Sequence, residues 1–590
     1  MARAVEENGE AMRLDPLMQR ALSAVNNVDL VVVGSGAAGL TAALTATLDG
    51  LSVAVLEAAP RVGGTTSRSS GTAWIPNNQL MLAAGFPEDA DAATDYLSAL
   101  VAEHAPRDGW LAFLKQAPQM QADLEARAEV LFRPYLHAPD YRSSLEGAAP
   151  GGRALEPVAF DGRLLGGWFE TLAEPLRELM VFGGMMVTRA EAQRLIRAER
   201  SPAAMLEGLK LIARHLRDRT RYRRGTRLVM GNALVARLLL GTLTRGGLVF
   251  TNCLVDQVQM ESGRATGVSG LHRGRQFSLS ARAGVILAVG GFPADPEMRA
   301  KYLPPLTPSY SPASPSARGT SIKLGLATGG QLGPDVGTNA MWFPSSLWAR
   351  PDGGLAVYPH IALDRAKPGS IIVNQTGERF ANEAVSYHDF CLAMFRCGAA
   401  ACPAWMIVGR DFIRRYGLGV IRPRTPSLKS FLRSGYLKTA QNQNELERTL
   451  HLPPDSLRRS IDRFNGFAVQ GRDEDFQRGE TSYEISNGDS SRGLANPCLG
   501  KIPADRLFAV ALWPTPLATA RGLLCGTEGQ VLDHSGSAIP GLYAAGNDMQ
   551  SVFGGQYPGA GAQIGPAMTF GWAAARHAAR HMQEIYGRTT

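Results

Sequence analysis

The stretch Val28–Glu57 constrains the fold more than any other part of the chain. A β-branched run, Asp29-Leu-Val-Val-Val33, leads directly into Gly34-Ser-Gly-Ala-Ala-Gly39, and the Ala/Leu/Thr-rich residues that follow are typical of a helix. A second apolar run, Ser52-Val-Ala-Val-Leu56, ends on Glu57. Strand, glycine turn, helix, second strand and acid are the parts of a dinucleotide-binding βαβ unit. The sequence therefore predicts a Rossmann-like nucleotide site.

The three glycines of this turn have separate roles. Gly34 allows the tight turn, Gly36 lets a pyrophosphate approach the backbone, and Gly39 lets the helix pack closely on the strand. The free N–H groups and the dipole of the helix N-terminus favour an anion, and Glu57 lies where an acid binds a ribose. This pattern predicts a bound dinucleotide but does not distinguish FAD from NAD.

Length and composition place the chain among large globular proteins. With 590 residues, of which 45% are hydrophobic, it can form two or more domains. The six cysteines show no CxxC or metal-ligand spacing, which predicts no metal site and no disulfide framework and is typical of a reducing compartment. Residues 1–27 carry early acids and no apolar core, and no run reaches the length of a membrane span. We expect a cytoplasmic protein, soluble or peripherally associated with the inner face of the membrane.

The net charge of +8 is concentrated in one segment, residues 189–227, which holds twelve Lys or Arg against four Asp or Glu. Leucines at Leu206, Leu209 and Leu216 give this segment an amphipathic helical pattern. One interpretation is a solvated helical face, and the other is an anionic membrane surface as partner. Nucleic acid is not expected as a partner, because no aromatic interleaving or nucleic-acid motif accompanies the charge.

Further segments can be assigned in order along the chain. A hydroxyl- and glycine-rich loop, Pro60–Gly71, follows the nucleotide unit and offers donors to phosphate or flavin. Gly284–Gly291 and Gly541–Asn547 have the pattern of buried strands that end on small residues, and five prolines between Pro304 and Pro315 indicate a crossing between domains. The remaining predictions are helices at about Ala90–Glu129, Leu446–Phe467 and Ile564–Met582, strands at Leu248–Leu254 and Gln276–Val289, and an irregular stretch at Phe132–Leu165.

Several motifs, within a similarity that extends from Val28 to Ala579, are spread along nearly the whole chain. They are Val33-Gly-Ser-Gly-Ala-Ala-Gly39 with Glu57, Gly63-Gly-Thr-Thr66, Arg379-Phe-Ala-Asn-Glu383 followed by Tyr387, Gly541–Asn547, and Tyr557-Pro-Gly-Ala-Gly561 with Ile564-Gly-Pro-Ala-Met-Thr-Phe-Gly571. Together they resemble the FAD-dependent 3-ketosteroid Δ1-dehydrogenases, within the fumarate-reductase-type flavoproteins. The last motif is the most specific, since the first belongs to many flavoproteins.

The resemblance implies an α/β fold, in which a Rossmann-like FAD-binding domain is discontinuous in sequence and an inserted α+β catalytic domain covers the flavin. The expected division is an N-terminal extension (1–27), the first part of the FAD-binding domain (28–296), the catalytic domain (297–512) and the second part of the FAD-binding domain (513–590). The residues expected to bind FAD are Gly34, Ser35, Gly36, Ala38, Gly39, Glu57, Gly64, Thr65, Thr66, Ser70, Gly71, Val255, Gly290, Asn547 and Ile564.

The implied substrate is a 3-ketosteroid, which loses a proton α to the ketone and a hydride to flavin N5. Such a proton is acidic only if the developing enolate is stabilised, and Tyr557 O–H with Gly561 N–H can donate to the carbonyl oxygen. The resemblance assigns Tyr387 as the base and Tyr141 as its partner, with Tyr135 as the alternative partner. A hydrogen bond from Tyr141 is expected to lower the pKa of Tyr387.

Two segments depart from the pattern of the resembled family, Ala317–Thr320 and Trp513–Pro516. His388, beside Tyr387, is interpreted as a structural histidine. The electron acceptor is not identified beyond a quinone or dye-like class. One alternative function is a flavin-dependent reductase of an unsaturated acid, which would need an Arg/His clamp that the sequence does not place near Tyr387 or Tyr557. The other is a non-catalytic flavin- and sterol-binding protein associated with a membrane.

Overall fold

The computed structural model describes residues 21–188, 191, 202–361 and 364–586. Its helices are α1 (Ala37–Leu48), α2 (Gln79–Ala83), α3 (Ala90–Val101), α4 (Arg107–Ala128), α5 (Pro202–Arg219), α6 (Met230–Leu243), α7 (Pro296–Tyr302), α8 (Thr320–Ala327), α9 (Tyr387–Cys397), α10 (Arg410–Tyr416), α11 (Lys429–Arg433), α12 (Gln443–Leu450), α13 (Ser456–Gln470), α14 (Ser482–Asn487) and α15 (Ile564–Tyr586). Short 3₁₀ turns lie at Leu22–Ala24, Thr66–Arg68, Ala102–His104, Gly162–Thr171, Arg177–Leu179, Gly398–Ala401, Ser490–Arg492 and Gly546–Asp548.

The strands form two large sheets and two small ones. They are β1 (Asn27–Val33), β2 (Val53–Leu56), β3 (Ala73–Trp74), β4 (Phe132–Pro134), β5 (Ala154–Pro157), β6 (Phe160–Asp161), β7 (Arg227–Leu228), β8 (Leu248–Phe250), β9 (Cys253–Glu261), β10 (Arg264–His272), β11 (Arg275–Leu287), β12 (Ala340–Ala349), β13 (Leu355–Pro359), β14 (Ser370–Val373), β15 (Ala404–Gly409), β16 (Lys438–Asn442), β17 (Asp505–Thr519), β18 (Gln530–Leu532) and β19 (Ala538–Ala544).

The first large sheet is the nucleotide-binding sheet, with strand order β18-β19-β11-β1-β2-β8. Four neighbouring pairs are parallel, as a βαβ unit requires: β19–β11, β11–β1, β1–β2 and β2–β8. The first half of β11, residues 275–280, pairs antiparallel with β10, which forms a hairpin with β9. Helices α15 and α6 both pack on α1. All residues of β2, and all of β1 except Asn27, are buried, so both faces of these strands are covered. β19 comes from the end of the chain, which confirms that the nucleotide-binding domain is discontinuous in sequence.

The second large sheet is antiparallel, with strand order β13-β12-β17-β15-β14 and β16 paired to β17. α9 packs on β12. β17 is continuous from residue 505 to residue 519, pairing through its first half with β15 and β16 and through its second half with β12. The expected domain boundary between residues 512 and 513 therefore falls inside a strand, and the proposed division at this position remains a prediction.

Four predicted elements differ from the observed ones. The strand predicted over Leu248–Leu254 is divided between β8 and β9, because Asn252 adopts φ 56° between them. The helix predicted over Ala90–Glu129 is broken between α3 and α4, because Ala102 adopts φ 43° and Pro106 follows. The helix predicted over Leu446–Phe467 is broken between α12 and α13, where His451 has φ 56° and two prolines follow it. The stretch Phe132–Leu165, predicted to be irregular, contains the strands β4, β5 and β6. These strands are too short to show a hydrophobic period in the sequence. They form because they pair with one another and with β3 and β7.

The basic segment 189–227 is only partly described. Residues 189–190 and 192–201 lie outside the described residues, as do residues 1–20 of the expected N-terminal extension. The described part contains α5, which confirms the helical pattern from residue 202 to residue 219. Of the helices in the described ranges, none combines the length and the hydropathy needed to span a bilayer.

Candidate active site

A cleft, whose volume of about 1050 Å³ includes space open to solvent, lies at the carboxyl ends of the parallel strands of the nucleotide-binding sheet. Its walls include twelve of the residues expected to bind FAD: Gly34, Ser35, Gly36, Ala38, Glu57, Gly64, Thr65, Thr66, Val255, Gly290, Asn547 and Ile564. Three expected residues, Gly39, Ser70 and Gly71, are not in its walls. Gly39 packs against the Gly34 carbonyl, Gly71 lies against the start of α6, and Ser70 accepts a hydrogen bond from the Thr72 hydroxyl.

The start of α1 has the shape of a diphosphate cradle. Gly34 has φ +106°, and an added Cβ would lie 2.3 Å from the Ala288 carbonyl oxygen. A Cβ on Gly36 would meet only Thr66 Oγ1, at 3.7 Å, so the backbone at this position is open to the cleft. Gly36 is the N-cap and has no side chain to cap the helix, while the Ala37 N–H donates to Thr66 Oγ1 at 3.0 Å. The remaining N–H groups of this N-terminus fit the pyrophosphate of a dinucleotide.

Glu57 lies at the end of β2, where its carboxylate is held by backbone N–H groups. Its Oε2 accepts hydrogen bonds from the Ser35 N–H and hydroxyl, and its Oε1 accepts one from the Ala59 N–H at 2.8 Å. Burial raises the pKa of Glu57, and these hydrogen bonds oppose the rise. A carboxylate has about four acceptor positions, so Glu57 retains capacity for a ribose hydroxyl.

Three tyrosines far apart in the sequence meet at one point. The Tyr141 hydroxyl donates to the Tyr387 hydroxyl oxygen at 2.9 Å. The ring centroids of Tyr141 and Tyr387, of Tyr141 and Tyr557, and of Tyr387 and Tyr557 are each 5.4 Å apart. Tyr387 and Tyr557 are almost completely buried, with 4% and 6% of their surfaces exposed, whereas Tyr141 is half-buried.

Each phenol is positioned by its own local structure. Tyr387 is the first residue of α9, whose N-cap Ser386 accepts a hydrogen bond from the Asp389 N–H. Tyr557 lies in the loop that leads into α15, and the Tyr141 N–H donates to the next carbonyl of that loop, Pro558 O, at 2.9 Å. The alternative Tyr135 instead lies beside β5, with its N–H bonded to Ala154 O. The structure thus brings Tyr141, and not Tyr135, to the hydroxyl of Tyr387.

Gly561 closes the loop that begins at Tyr557. It has φ +96°, and an added Cβ would lie 2.4 Å from the Thr72 carbonyl oxygen, so only glycine fits here. The Trp74 N–H donates to Gly561 O at 3.1 Å and fixes the peptide. Within the described ranges, the Gly561 N–H has no hydrogen-bond acceptor. It is therefore available, with the Tyr557 hydroxyl, as a donor to a ligand oxygen.

Comparisons with known proteins agree with this geometry. A family model described as an FAD binding domain matches residues 29–564. A 3-oxosteroid 1-dehydrogenase from Mycolicibacterium smegmatis is 35% identical to this chain over 562 residues, which cover 93% of this chain and 96% of that protein. The chain belongs to the FAD-dependent 3-ketosteroid Δ1-dehydrogenase family. FAD is accordingly its cofactor, as the open cradle at Gly36 and the carboxylate of Glu57 already indicated.

Solved structures and a second relative extend the comparison. The 3-ketosteroid Δ1-dehydrogenase of Sterolibacterium denitrificans, in complex with 1,4-androstadiene-3,17-dione, matches with a TM-score of 0.88 and 34% identity over 94% of this chain and 100% of that chain. A 4-oxocyclohex-2-ene-1-carboxylate 5-dehydrogenase of Sinomonas cyclohexanicum is 33% identical over 94% of each chain. A flavocytochrome c3 fumarate reductase, at 19% identity and TM-score 0.61, shares the fold. The predicted fold class is confirmed.

The pKa values within the phenol cluster of this dehydrogenase family member are set by burial. Burial raises the pKa of Tyr387 well above its usual value, and Tyr141 and Tyr557 raise it further. The prediction that Tyr141 lowers this pKa is therefore wrong, because loss of hydration dominates and charge on the neighbouring phenols would repel a phenolate at Tyr387. Burial raises the pKa of Tyr557 to about 12, with its hydrogen bond to Tyr387 opposing the rise. At neutral pH the phenols of Tyr387 and Tyr557 keep their protons.

Three neighbours of the cluster were not predicted as site residues. Phe343 lies with its ring centroid 4.4 Å from that of Tyr387, and Tyr483 lies 4.8 Å from Tyr141. His388 lies 5.8 Å from Tyr557. Burial lowers the pKa of His388 to about 4, so it is neutral, and its Nδ1 faces the Trp342 N–H. No sequence motif singles out Phe343 or Tyr483, since they reach the site only through the packing of β12 and α14.

The two segments that depart from the family pattern lie close to the site. Thr320, at the start of α8, lines the FAD cleft. Thr515 and Pro516 belong to β17 and pair with Phe343 and Trp342 of β12. The Thr515 hydroxyl donates to the Phe343 carbonyl oxygen at 3.1 Å. The residues 513–516, which differ from the family pattern, therefore pair with the strand that contains Phe343. The sequence also missed the serines of the proline-rich loop, Ser314 and Ser316, which line the same cleft.

Proposed function

We propose that this protein dehydrogenates 3-ketosteroids, introducing a C1–C2 double bond into ring A. The observation that carries the proposal is the convergence of Tyr141, Tyr387 and Tyr557 with the unpartnered N–H of Gly561, three residues before Ile564 in the wall of the FAD cleft. Relatives with this name and a solved structure with a bound androstadienedione support the steroid class.

The chain's own residues would divide the chemistry between two ends of the cluster. The Tyr557 hydroxyl and the Gly561 N–H would donate to the ketone oxygen and stabilise the enolate as charge develops there. Because Tyr387 carries its proton at neutral pH, it would first lose that proton through Tyr141 Oη, which lies 2.9 Å away on a half-buried side chain. The Tyr387 phenolate would then take the proton from C2. Bound FAD supplies the acceptor for the hydride that leaves C1.

The surroundings of the phenols favour a neutral apolar ring over a carboxylic acid. Of the described side chains, those in ring contact with the cluster are Phe343, Tyr483 and His388, and His388 is neutral at physiological pH. Arg142 lies beside the cluster in sequence, but it is paired with Asp389 at 2.7 Å. A carboxylate would lack the bidentate cationic partner that such groups usually have in buried sites. This disfavours both unsaturated acids and cyclohexanecarboxylates as substrates.

Anaerobic mixing of the FAD-loaded protein with a 3-ketosteroid tests the proposal. We expect bleaching of the oxidised flavin absorbance and formation of the 1-ene product. The matched substrate is 4-oxocyclohexanecarboxylate, which has the same ketone on a six-membered ring but carries a negative charge, and we expect it to bleach the flavin far more slowly. Binding of the steroid without bleaching would instead support the non-catalytic sterol binder. Oxidation of a reduced dye by fumarate-like acids would support the acid reductase.

A membrane surface is proposed as a second partner on the strength of α5. Its outward face exposes Met205, Leu206, Leu209 and Leu216, each more than half exposed, near an exposed Phe182. The polar side chains of His215 and Asp218 are buried on its inner face, the reverse of a soluble amphipathic helix. Exposed basic residues surround this face: Lys210, Arg217, Arg219, Arg221 and Arg223. Apolar side chains within a basic rim suit an anionic lipid surface, where a quinone-class electron acceptor would be at hand.

Co-sedimentation with anionic vesicles tests this partner. Binding should weaken steeply as salt rises, and a Leu209→Glu, Leu216→Glu double variant should lose it while retaining FAD. Sedimentation that is absent or insensitive to salt would leave α5 as a solvated helix.

A further inference from the structure

We infer that Tyr96 is a positioning residue for this reaction, because its hydroxyl holds the loop of Tyr557 and Gly561 against the segment of Tyr141. The inference rests on the proposed function. Tyr96 lies on α3 and is completely buried. Its hydroxyl donates to Pro558 O at 2.7 Å, across 462 positions of the chain. Pro558 directly follows Tyr557, so this bond acts on the proposed carbonyl-binding loop itself.

The Pro558 carbonyl is shared between Tyr96 and the base side of the site. Pro558 O also accepts the Tyr141 N–H at 2.9 Å, and the Tyr96 hydroxyl oxygen accepts the Arg142 N–H at 3.3 Å. Tyr96, the backbone of residues 141–142 and Pro558 thus form a closed set of three hydrogen bonds. Because Tyr141 contacts the proposed base Tyr387, this set fixes the spacing between the proton acceptor and the donors to the ketone.

A buried ionic network holds Tyr96 and Tyr141 in place from beneath. The Arg153 guanidinium lies 5.4 Å from the Tyr96 ring centroid and bonds Asp140 Oδ2 at 2.6 Å. Asp140 directly precedes Tyr141, and its Oδ1 accepts the Trp74 indole N–H at 2.8 Å. Arg153 also pairs with Asp89, which lies just before α3. These groups are nearly inaccessible, so their hydrogen bonds are strong and leave little freedom of movement.

The Trp74 indole also packs against the loop that contains Tyr557 and Gly561. An added Cβ on Gly559 would lie 2.6 Å from Trp74 Nε1, so the loop already touches the ring. The loop is therefore held by Trp74 from below and by Tyr96 from the side. Removing the Tyr96 hydroxyl leaves Pro558 O with one hydrogen bond and one side of the loop free to shift.

Tyr96 cannot take part as an acid or base. Burial raises the pKa of Tyr96 far above its usual value, and the nearby Asp140 carboxylate raises it further. Its hydroxyl therefore remains a donor at every working pH, and its effect on the reaction is geometric. Misplacement of a reacting group by about 1 Å costs on the order of 100-fold in rate, and a fraction of this is expected from one lost hydrogen bond.

The test compares Tyr96→Phe with Tyr543→Phe, both in FAD-loaded protein. Tyr543 is equally buried, and its hydroxyl is also hydrogen-bonded, to His577, but it lies on β19 away from the phenols. We expect Tyr96→Phe to lower kcat about tenfold with KM for the steroid unchanged, and Tyr543→Phe to leave both unchanged. Equal effects of the two variants, or an effect of Tyr96→Phe on KM alone, would overturn the inference.

A double variant separates positioning from a general structural loss. If Tyr96 acts through the loop of Tyr557, Tyr96→Phe should cost little or nothing further in a Tyr557→Phe background, because the positioned donor is already absent. Multiplicative losses would overturn the inference. The proposed function is judged apart, from wild-type turnover and from Tyr557→Phe: if both support it while Tyr96→Phe is fully active, only the present inference fails.

Discussion

The hydroxyl oxygens of Tyr141 and Tyr387 lie 2.9 Å apart although 246 positions separate the two residues. Tyr141 comes from the loop before β5, and Tyr387 begins α9, which packs on the antiparallel sheet. The proposed base and its partner therefore come from the two large structural units of the chain, and neither unit contains the site alone. The ring of Tyr557, which lies in the loop before α15, completes the cluster.

Tyr557→Phe tests the proposed donor to the ketone. The ring is kept, so the packing against Tyr141 and Tyr387 is retained, but one of two donors is lost. We expect kcat to fall by about 10²–10³, as for removal of an oxyanion-hole donor. Steady-state kinetics with a 3-ketosteroid and a dye acceptor measure this. Turnover equal to wild type would refute the role of Tyr557.

Tyr387→Phe tests the proposed base, with Tyr135→Phe as a matched control. Loss of a general base costs typically about 10²–10⁴ in rate, so we expect Tyr387→Phe to be nearly inactive while still binding steroid. Tyr141→Phe should cost less, because the base remains. Among the described residues no ring contact joins Tyr135 to the cluster, so removal of its hydroxyl should leave turnover unchanged. Steroid binding is followed by perturbation of the flavin spectrum, and a strong defect in Tyr135→Phe would contradict the assignment of Tyr141.

The rate should rise with pH. Because burial raises the pKa of Tyr387, the proton-accepting phenolate is a minor form at neutral pH, and its fraction grows about tenfold per pH unit below that pKa. Tyr557, with a pKa of about 12, keeps its donor proton over the same range. We therefore expect log kcat/KM to increase from about pH 6 to about pH 10, since this parameter reports the free enzyme. A flat or falling profile would show that Tyr387 is not the titrating base.

Gly36→Ala tests the diphosphate cradle without breaking the fold. Its added Cβ meets only Thr66 Oγ1, at 3.7 Å, so the protein should fold, but the methyl group stands where a phosphate must approach. We expect FAD affinity to fall by at least about tenfold, the loss of one good hydrogen bond to a charged group. Gly466→Ala, in α13 with open space around it, is the matched control and should bind FAD normally. Fluorescence titration of the apoprotein with FAD measures both.

Local chemistry made much of this protein predictable. The βαβ unit was predictable because strand, glycine turn, helix and Glu57 follow one another within thirty residues. Each of these parts is recognised from neighbouring residues alone. The helix breaks after Val101 and Leu450 were missed because the amphipathic period continues through them, whereas Ala102 and His451 adopt positive φ. The strands within 132–165 were missed because they are two to four residues long, and β5 and β6 also pair with β3 and β7 outside the stretch.

The sequence by itself determined the cofactor fold and the family, because both follow from motifs of contiguous residues. Only the tertiary structure decided that Tyr141 rather than Tyr135 meets Tyr387, that Phe343, Tyr483 and Tyr96 adjoin the site, and that the pKa of Tyr387 is raised. The physical reason is the same in each case. Contact and loss of hydration depend on which distant segments the fold packs together, and no local pattern of residues encodes that packing.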